Sequence, residues 1–389
     1  MTEIDERAPP LKGLRVLELA RVLAGPWAGQ ILADLGADVL KVEGKTGDDT
    51  REWGPPFLEN SNGSKDAAYF HACNRGKRSI IVDLSNKEGQ ACVKNLAREA
   101  DVIIENFKVG GLKRFGLDYA NIKSINPSII YCSITGFGQD GPYNSRGGYD
   151  FIIQAMSGVM DITGTPGGPP QKMGVAFSDI FTGLYTVIAI QSALLKREKT
   201  GLGDYIDMAL FDCTLGVLAN QAMNYLSSDV SPKRLGNAHP NIAPYEAFAT
   251  KDGWIVITVG NNGQFARLCE VLGLGDLQED VAYATNSARV KNKEILSRII
   301  AGAVKNWSRT DLLLLLEKAN VPAGPVNSIA EAFSDPQSIA RGMQKNLIRK
   351  SDGKNIPSVR IPIKFLGTDL LDQRPSPELG ADEAKWLSE

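Results

Sequence analysis

Cysteine and histidine are scarce in this sequence, and neither residue type clusters. Two histidines occur in 389 residues, and the five cysteines are an odd number without a C-x-x-C pair. Single, widely spaced thiols argue against a disulfide framework, and no metal site is predicted. They are typical of buried free thiols in a reducing compartment, so we expect a cytoplasmic protein. The cysteines are Cys73, Cys92, Cys132, Cys213 and Cys269.

An excess of charge and a long hydrophobic run are also lacking. The 43 Lys and Arg nearly balance the 45 Asp and Glu, and a formal net charge of −2 gives no field that would capture a polyanion. The longest apolar stretch, residues 180–195, is shorter than the roughly 17 to 25 residues of a membrane span. The first ten residues do not have the pattern of a signal or transit peptide. We expect neither a nucleic-acid partner nor a membrane.

The sequence does not contain the G-x-G-x-x-G pattern of dinucleotide-binding folds. Only Gly25 and Pro26 occupy the first turn between a predicted strand and a predicted helix, so a nicotinamide or flavin site is poorly supported. Glu43, at the end of the next predicted strand, resembles the ribose-binding acid of such folds, but it is a weak signal by itself.

The first half of the chain contains a regular alternation of predicted strands and helices. LRVLELA, ADVLKVE, SIIVDL, DVIIENF and SIIYCSITGF are typical of buried strands, and helical segments such as 86–100 separate them. The pattern predicts an α/β fold with an open, Rossmann-like, mostly parallel sheet. In such a sheet the crossovers are right-handed and ligands bind at the carboxyl ends of the strands.

Composition predicts where the domains divide. A polar loop rich in Asn, Pro, Ser and His spans 227–244 and precedes a new strand and Leu-rich helices. We predict a large α/β domain over 1–225 and a smaller α+β domain over 226–325. Residues 326–389 are predicted to return to the large domain as an extended linker that ends in a short helix.

Two segments of the first half are candidates for anion binding. Residues 21–27, RVLAGPW, stand where a predicted strand ends and a helix begins, so backbone N–H groups and the positive helix end face outward. The second segment places three cations, Arg75, Lys77 and Arg78, just before a strand. Taken alone, this cluster is typical of a solvated surface turn. Together with the first segment, it indicates a phosphate or carboxylate site.

Several motifs, in one order along nearly the whole chain, resemble the class III coenzyme A transferases, the family of formyl-CoA transferase and carnitine CoA-transferase. They are LKGLRVLELARVLAGPWAGQILADLGADVLKVE, NRGKRSI, IENF, GGLKRFG, ITGFGQDGP and VAFSDIFTGLY. The resemblance implies a homodimer of two interlocked, ring-shaped chains. It also implies acyl-CoA and a carboxylic acid as substrates, with no tightly bound cofactor.

The resemblance assigns roles to individual residues. Asp179 is implied as the covalent nucleophile, with Tyr149 near the reacting carbonyl. Many relatives carry Arg directly after the Glu of the KVE strand, whereas this chain has Gly44 and then Lys45, so a phosphate would meet a point charge without bidentate geometry. The residues implied in coenzyme binding are Arg21, Val22, Ala24, Lys45, Arg78, Val82, Asn106, Phe107, Arg114 and Phe137.

The chemistry of an aspartate suits the role of nucleophile. A carboxylate can attack a thioester carbonyl to form a mixed anhydride, and the released thiolate can then form an enzyme thioester. Both intermediates hydrolyse in water, so we expect loops that close the site and N–H donors for the oxyanion. Gly164, Gly167, Gly168 and the loop 236–240 are candidate covers. The alternative for Asp179 taken alone is a helix N-cap.

Two other classes of function were weighed against the transferase. A 2-methylacyl-CoA racemase of the same fold carries His in a G-H-D motif, because proton exchange needs a group that titrates near neutral pH. Here the motif is Gly148-Tyr149-Asp150, and neither His71 nor His239 lies at that position. Tyr, with an unperturbed pKa of about 10, is a poor base at pH 7. A noncatalytic CoA-binding protein is the third class.

The substrate acid is predicted from a smaller set of residues. The segment 234–248 and the motif Asp-Asp-Thr-Arg51 look most like the branch of the family that uses succinyl-CoA with glutarate or hydroxymethylglutarate, which implies dicarboxylates. Arg234 and His239 are candidates to pair with a distal carboxylate. A purely structural role in the loop is an equal alternative for each.

Overall fold

The computed structural model describes residues 7–368, 370 and 374–383. The strands, in chain order, are β1 (Arg15–Glu18), β2 (Asp38–Glu43), β3 (Phe57–Glu59), β4 (Lys65–Ala67), β5 (Arg78–Ile81), β6 (Val102–Glu105), β7 (Ile130–Thr135), β8 (Asp204–Ala209), β9 (Tyr245–Thr250), β10 (Gly253–Thr258), β11 (Ala323–Pro325), β12 (Gln344–Ile348) and β13 (Asn355–Val359).

The helices are α1 (Ala24–Asp34), α2 (Ala68–Cys73), α3 (Lys87–Glu99), α4 (Tyr119–Ile125), α5 (Asp150–Met156), α6 (Val159–Ile162), α7 (Phe177–Thr200), α8 (Leu210–Gly216), α9 (Ala219–Ser228), α10 (Asn262–Leu272), α11 (Asp276–Glu279), α12 (Asn286–Lys291), α13 (Lys293–Val304), α14 (Arg309–Lys318), α15 (Ile329–Ser334) and α16 (Pro336–Ala340). Short 3₁₀ turns occupy Asp49–Arg51 and Lys113–Phe115.

The chain divides into two compact units. The larger consists of the residues up to Val159, Lys172–Ser227 and the residues from Pro336 onward, and the smaller consists of Met160–Gln171 and Ser228–Asp335. These boundaries lie near those expected from the composition. The short segment Met160–Gln171 belongs to the smaller unit, whereas the sequence pattern places it within 1–225.

The larger unit is built on a six-stranded sheet in the order β5-β2-β1-β6-β7-β8, and every pair of neighbours in it is parallel. Numbered by their place within the sheet, the strands run 3-2-1-4-5-6, which is the order of the Rossmann fold. The prediction of an α/β fold with a Rossmann-like parallel sheet is therefore confirmed. The direction of winding reverses between β1 and β6, and this is where such sheets bind ligands.

Both faces of the sheet are covered, which explains why its strands are apolar along their whole length rather than alternating. On β1, Val16 points into one hydrophobic cluster and Leu17 into the other. On β6, Ile104 and Ile103 divide in the same way. Helices α1 and α7 pack on the first face, and α3 packs on the second.

Helix α7 is the central helix of the first face. By length and composition alone it could cross a membrane, because an 18-residue window has a mean hydropathy of 1.3. It instead packs closely against α1: a Cβ on Gly183 would lie 2.9 Å from the Ala24 carbonyl oxygen and 2.9 Å from the Trp27 ring. A side chain there would force the helices apart, so glycine is required at this contact.

The smaller unit is an α+β structure. Strands β11, β10 and β9 form an antiparallel sheet, and α10, α13 and α14 contribute to its core. Arg289 is fully buried in this unit, where it donates to the Ala243 and Tyr283 carbonyls.

The segment that follows the smaller unit is more ordered than an extended linker. Strands β12 and β13 pair as an antiparallel hairpin, and the chain then returns to the larger unit, where Arg51 donates to the Pro377 carbonyl. The predicted terminal helix lies outside the described residues.

Candidate active site

Asp179 occupies the first turn of α7 and is only partly exposed. Within the part of the chain that the structure describes, no hydrogen bond or salt bridge reaches its carboxylate. Burial, with a smaller contribution from the negative charge of Asp150, raises the pKa of Asp179 to about 7. A carboxylate that is desolvated, unpaired and more basic than usual is a better nucleophile than one held in an ion pair.

The charges of Asp150 and Tyr69 interact with that of Asp179, and sequence reasoning gave neither residue a role. Tyr149 is 65% exposed and stands at the N-cap of α5, directly before Asp150. Tyr69, on α2, was not anticipated. Burial, and then the charge of Asp179, raises the pKa of Tyr69 to about 12, so its phenol is neutral at pH 7. The edge of the Trp53 ring packs against it at 5.4 Å.

The loops after β1 and β6 are joined at the reversal point of the sheet. Asn106 Nδ2 donates to the Arg21 carbonyl oxygen at 2.7 Å, and the Arg21 N–H donates to Asn106 Oδ1 at 2.9 Å. Both polar atoms of the side-chain amide thus contact the backbone of Arg21. Asn106, predicted to contact the coenzyme, shapes the turn that would contact it.

Val22 lies in the left-handed region with φ of 71°, which is unusual for a β-branched residue. Its N–H donates to both carboxylate oxygens of Asp48 at 3.2 Å, and the Cys73 thiol donates to its carbonyl oxygen. These contacts hold the turn in a strained conformation just before α1 begins at Ala24. No glycine occupies the left-handed position of this turn, but Gly25 in α1 is needed beside it, because a Cβ there would lie 2.4 Å from the Ala20 Cβ.

A buried group of four charges underlies the turn. Lys41 Nζ lies 3.0 Å from Glu18 and 2.9 Å from Asp48, and Lys77 Nζ lies 2.8 Å from Glu18. Burial alone would lower the pKa of Lys41, but the carboxylates together raise it above its usual value. A Cβ on Gly29 would stand 1.8 Å from Glu18 Oε2, so only glycine leaves space for this carboxylate.

A cavity of about 460 Å³ opens at the carboxyl ends of β1, β2, β5 and β6. Four residues predicted to bind the coenzyme line it: Arg21, Lys45, Val82 and Phe107. Lys45 is 81% exposed, with Asp83 at 3.7 Å, and Arg21 contacts Asp49 at 3.1 Å. Both cations are therefore accessible to an anionic ligand, between an apolar wall and the strand ends.

Residues 11–383 match CoA-transferase family III. The chain belongs to this family. It is therefore a CoA-transferase, whose substrates are an acyl-CoA and a carboxylate, and the resemblance drawn from the motifs is confirmed. No group of His, Cys, Asp and Glu able to hold a metal ion occurs among the described residues.

Relatives of the enzyme match it along nearly its whole length. It is 57% identical to a succinate–glutarate CoA-transferase of Agrobacterium fabrum, over 100% of this chain and 98% of the relative. It is 43% identical to a mouse succinyl-CoA:glutarate CoA-transferase, over 98% and 86% respectively. The crystal structure of a CaiB/BaiF family protein from Brucella suis is 58% identical, covers 96% of this chain and 97% of that one, and superposes with a TM-score of 0.87.

The basic cluster of residues 75–78 does not form an anion site. Arg75 is paired with Asp34, Lys77 with Glu18, and Arg78 with Asp38. All three cations are buried. Arg78 also begins β5, and Asp38 begins β2, so this pair lies at the amino edge of the sheet, away from the cavity. The interpretation of the cluster as a phosphate or carboxylate site is corrected: its charges are neutralised inside the fold.

Two further residues predicted to bind the coenzyme do not line this cavity. Arg114 is exposed in a 3₁₀ turn, with its guanidinium 4.5 Å from the centre of the Phe115 ring. Phe137 packs against the Tyr143 and Phe211 rings at 5.5 and 5.8 Å, at the edge of the core.

Arg51, part of the motif that pointed to dicarboxylates, is also buried. It donates to Glu43 through Nε and Nη2 and to Asp66 through Nη1. Its charge is used to hold the loop after β2, because two carboxylates satisfy its fork of donors. It is not free to bind a substrate acid.

The smaller unit brings together the two loops predicted as covers. The Gly236 N–H donates to the Gly164 carbonyl oxygen at 2.9 Å, and Arg234 Nη1 donates to Asp161 at 2.7 Å. Arg234 Nε is buried and has no partner among the described residues. His239 Nδ1 accepts the Asn241 N–H at 3.1 Å, which assigns the proton of the neutral ring to Nε2.

Sequence reasoning assigned no role to Asp48, Tyr69 or Glu105, although Asp48 and Glu105 lie within the motifs Asp-Asp-Thr-Arg51 and IENF. Glu105 ends β6, and burial raises its pKa to about 7. Its position at a strand end was the available signal. The roles of Asp48 and Tyr69 depend on partners far away along the chain, and no local pattern indicates them.

Proposed function

We propose that the enzyme transfers coenzyme A from succinyl-CoA to a dicarboxylate such as glutarate, through covalent intermediates on Asp179. The observation that carries the proposal is the unpaired, desolvated Asp179 carboxylate at the start of α7. The names of relatives at 57% and 43% identity support the choice of succinyl and glutaryl groups.

The reaction proceeds in four steps that need no net proton transfer. The Asp179 carboxylate attacks the succinyl thioester carbonyl, and the C–S bond breaks to give a mixed anhydride and CoA thiolate. The thiolate then attacks the aspartyl carbonyl and expels succinate, which carries away one aspartyl oxygen. Glutarate attacks the resulting aspartyl thioester and releases thiolate again. The thiolate finally attacks the glutaryl carbonyl, which yields glutaryl-CoA and the free Asp179 carboxylate.

The absence of a proton step agrees with the residues nearby. Tyr69 keeps its proton at neutral pH, so it acts as a hydrogen-bond donor and not as a base. Tyr149, exposed beside Asp150, is proposed to contact the reacting carbonyl. No residue has to shuttle a proton at an α-carbon, which is what a racemase would require.

The coenzyme is proposed to lie at the reversal point of the sheet. Its phosphates would meet Arg21 and Lys45, and Val82 and Phe107 would supply the apolar wall of the cavity. Val22 and Ala24 would present the turn and the first N–H groups of α1. Arg114 and Phe137 remain predictions for coenzyme binding, and Arg234 and His239 remain predictions for the distal carboxylate. Without a tightly bound cofactor, the scheme is chemically complete. We also expect an interlocked homodimer in the cytoplasm.

The direct test of substrate is a competition among acids. The enzyme is incubated with succinyl-CoA and an equimolar mixture of glutarate, citramalate, itaconate and oxalate, and new acyl-CoAs are identified by mass. We expect glutaryl-CoA to form fastest. Formation of none of the four would contradict the proposed substrate class.

The intermediate is tested without an acceptor. Succinyl-CoA alone is added, the reaction is quenched in hydroxylamine, and the peptide that contains Asp179 is examined for the mass of an aspartyl hydroxamate. Asp179→Asn should give no adduct and no transfer. The matched control is Asp276→Asn, at the start of α11, which should behave like the unaltered enzyme. Full transfer by Asp179→Asn would overturn the nucleophile, and wash-in of solvent deuterium at the α-carbon of 2-methylacyl-CoA would favour the racemase.

A further inference from the structure

Helix α7 begins without a capping side chain of its own. Ala176 stands at the N-cap and has no side-chain oxygen for the free N–H groups of the first turn. Asp150 supplies this oxygen from α5, because its Oδ1 accepts the Ser178 N–H at 2.8 Å. Ser178 directly precedes Asp179. The backbone that carries the nucleophile is therefore tied to a second carboxylate.

Asp150 is itself held in place. Its Oδ2 accepts from Gln154 Nε2 at 2.7 Å, and Gln154 Oε1 accepts the Met173 N–H at 2.9 Å. Gln154 is fully buried, so this chain of contacts has little freedom to move.

The charge of Asp150 acts on Asp179 in a way that changes during the reaction. Above its pKa the free Asp179 carboxylate is negative, and the negative charge of Asp150 repels it. In the anhydride and in the thioester, Asp179 carries no charge, so the repulsion disappears. Asp150 therefore raises the free energy of the resting carboxylate relative to the acylated states.

Other ionisable groups on the elements packed against α7 do not have this effect on Asp179. On α1, Asp34 is paired with Arg75. Tyr69 on α2 is neutral at pH 7, and burial raises the pKa of Cys213 on α8. Only Asp150 adds its charge to the effect of burial on Asp179 among the described residues. None of the other ionisable residues on β7, β8 and α8 contributes to the raised pKa of Asp179. They are Tyr131, Cys132, Asp204, Tyr205, Asp207 and Asp212.

We propose that Asp150 is a positioning residue for Asp179: its oxygen caps the helix that presents the nucleophile, and its charge favours acylated over free Asp179. The inference rests on the proposed role of Asp179. It assigns to the acid of the Gly-Tyr-Asp motif a task separate from that of Tyr149.

Two substitutions separate the cap from the charge. Asp150→Asn keeps an oxygen for the Ser178 N–H and removes the charge, together with the hydrogen bond from Gln154 Nε2, because an amide nitrogen cannot accept it. Asp150→Ala removes the oxygen as well. Asp140→Asn, at an exposed site, is the matched control. Each variant is compared with the unaltered enzyme in the pH profile of kcat/KM and in the yield of aspartyl hydroxamate from succinyl-CoA. Urea unfolding checks that each variant is folded.

In Asp150→Asn we expect the acid limb of the profile to move to lower pH by about one unit, because loss of a like charge lowers the pKa of Asp179. At pH 8 the ratio of acylated to free enzyme should fall about tenfold. A pKa lower by one unit means that the free carboxylate is more stable by a factor of ten. Asp150→Ala should show both changes and a slower reaction at every pH. The control should show neither.

The two proposals fail in different ways. If the unaltered enzyme forms no hydroxamate, the nucleophile is wrong and this inference falls with it. If the unaltered enzyme forms the adduct, and Asp150→Asn is folded with an unchanged acid limb and an unchanged ratio, the inference alone is overturned. A structural role without an effect of charge would slow Asp150→Ala but leave Asp150→Asn normal, which also overturns it.

Discussion

Asn106 forms two hydrogen bonds with the backbone of Arg21, one as donor at 2.7 Å and one as acceptor at 2.9 Å. The side chain of a residue after β6 thus forms the pair of hydrogen bonds with the loop after β1 that a neighbouring strand's backbone would form within the sheet. These two strands are the neighbours between which the order of the sheet reverses. The contact consequently fixes the shape of the crevice from both sides.

Replacing Asn106 by Ala should raise KM for succinyl-CoA about tenfold, because loss of both bonds frees the Arg21 turn at a cost of about 1–2 kcal/mol. Turnover at saturation should change much less. Steady-state kinetics with varied succinyl-CoA measure the effect. The control is Asn121→Ala, an exposed position on α4. A fall in the free energy of unfolding with no change in KM would show that Asn106 serves only the fold.

The cations at the cavity should matter to the coenzyme and not to the acceptor acid. In the double variant Arg21→Gln and Lys45→Gln, we expect KM for succinyl-CoA to rise about tenfold or more, since each charge-assisted contact contributes about 1.5–3 kcal/mol. KM for glutarate should stay the same. Lys87→Gln, at the exposed start of α3, is the control. An equal rise for both substrates would contradict coenzyme binding at this cavity.

Removing one of the buried charges around Glu18 should lower the free energy of unfolding. Lys77→Met leaves Glu18 with Lys41 as its remaining cation, and removing one partner of a buried pair costs about 3–5 kcal/mol. Urea unfolding measures this loss in the free energy of unfolding. Lys45→Met, at a lysine 81% exposed, should change stability by no more than about 0.5 kcal/mol. Similar values for the two variants would refute the argument.

His71 should make the protein less stable in mild acid. Burial, and then the charges of Arg51 and Arg349, lowers the pKa of His71 from 6.5 to about 4. Between these values the unfolded chain binds the proton and the folded chain does not, so stability rises with pH in that range and falls as pH drops from 6.5 to 4. The full contribution is about 3 kcal/mol.

The measurement for His71 is urea unfolding at a series of pH values between 7.5 and 4.5, starting about one unit above the unfolded pKa. His71→Gln should reduce the slope of stability against pH in this range. The matched control is His239→Gln, the same substitution at the second of the two histidines, which lies in the smaller unit. A slope unaffected by His71→Gln would show that other groups titrate there.

The sequence predicted the parallel sheet because its signals are local. Each strand is a short apolar run, and each crossover is a helix of ordinary length, as in the run from β5 through α3 to β6. The location of Asp179 was predictable for another reason: a long motif around it resembles a known family. One cavity is lined by Arg21, Lys45, Val82 and Phe107. These residues meet because of the order of the strands in the sheet, which the motifs do not state directly.

The cations at 75–78 show why other features could not be predicted. Three positive charges in four positions are typical of an exposed site when their partners are unknown. Their partners Asp34, Glu18 and Asp38 lie 40 to 59 residues earlier in the chain. Only the folded sheet brings each pair together, so the local pattern could not separate a binding cluster from a neutralised one.

The turn after β1 has a consequence for how such crevices are found and altered. Its left-handed residue is Val22, and an amide and a carboxylate contributed by distant segments hold the turn around it. A search for the glycine spacing of dinucleotide-binding folds would therefore overlook this crevice, although the winding order of the strands reveals it. Conversely, redesign of its ligand preference would have to begin at Asn106 and Asp48, which the ligand itself need never touch.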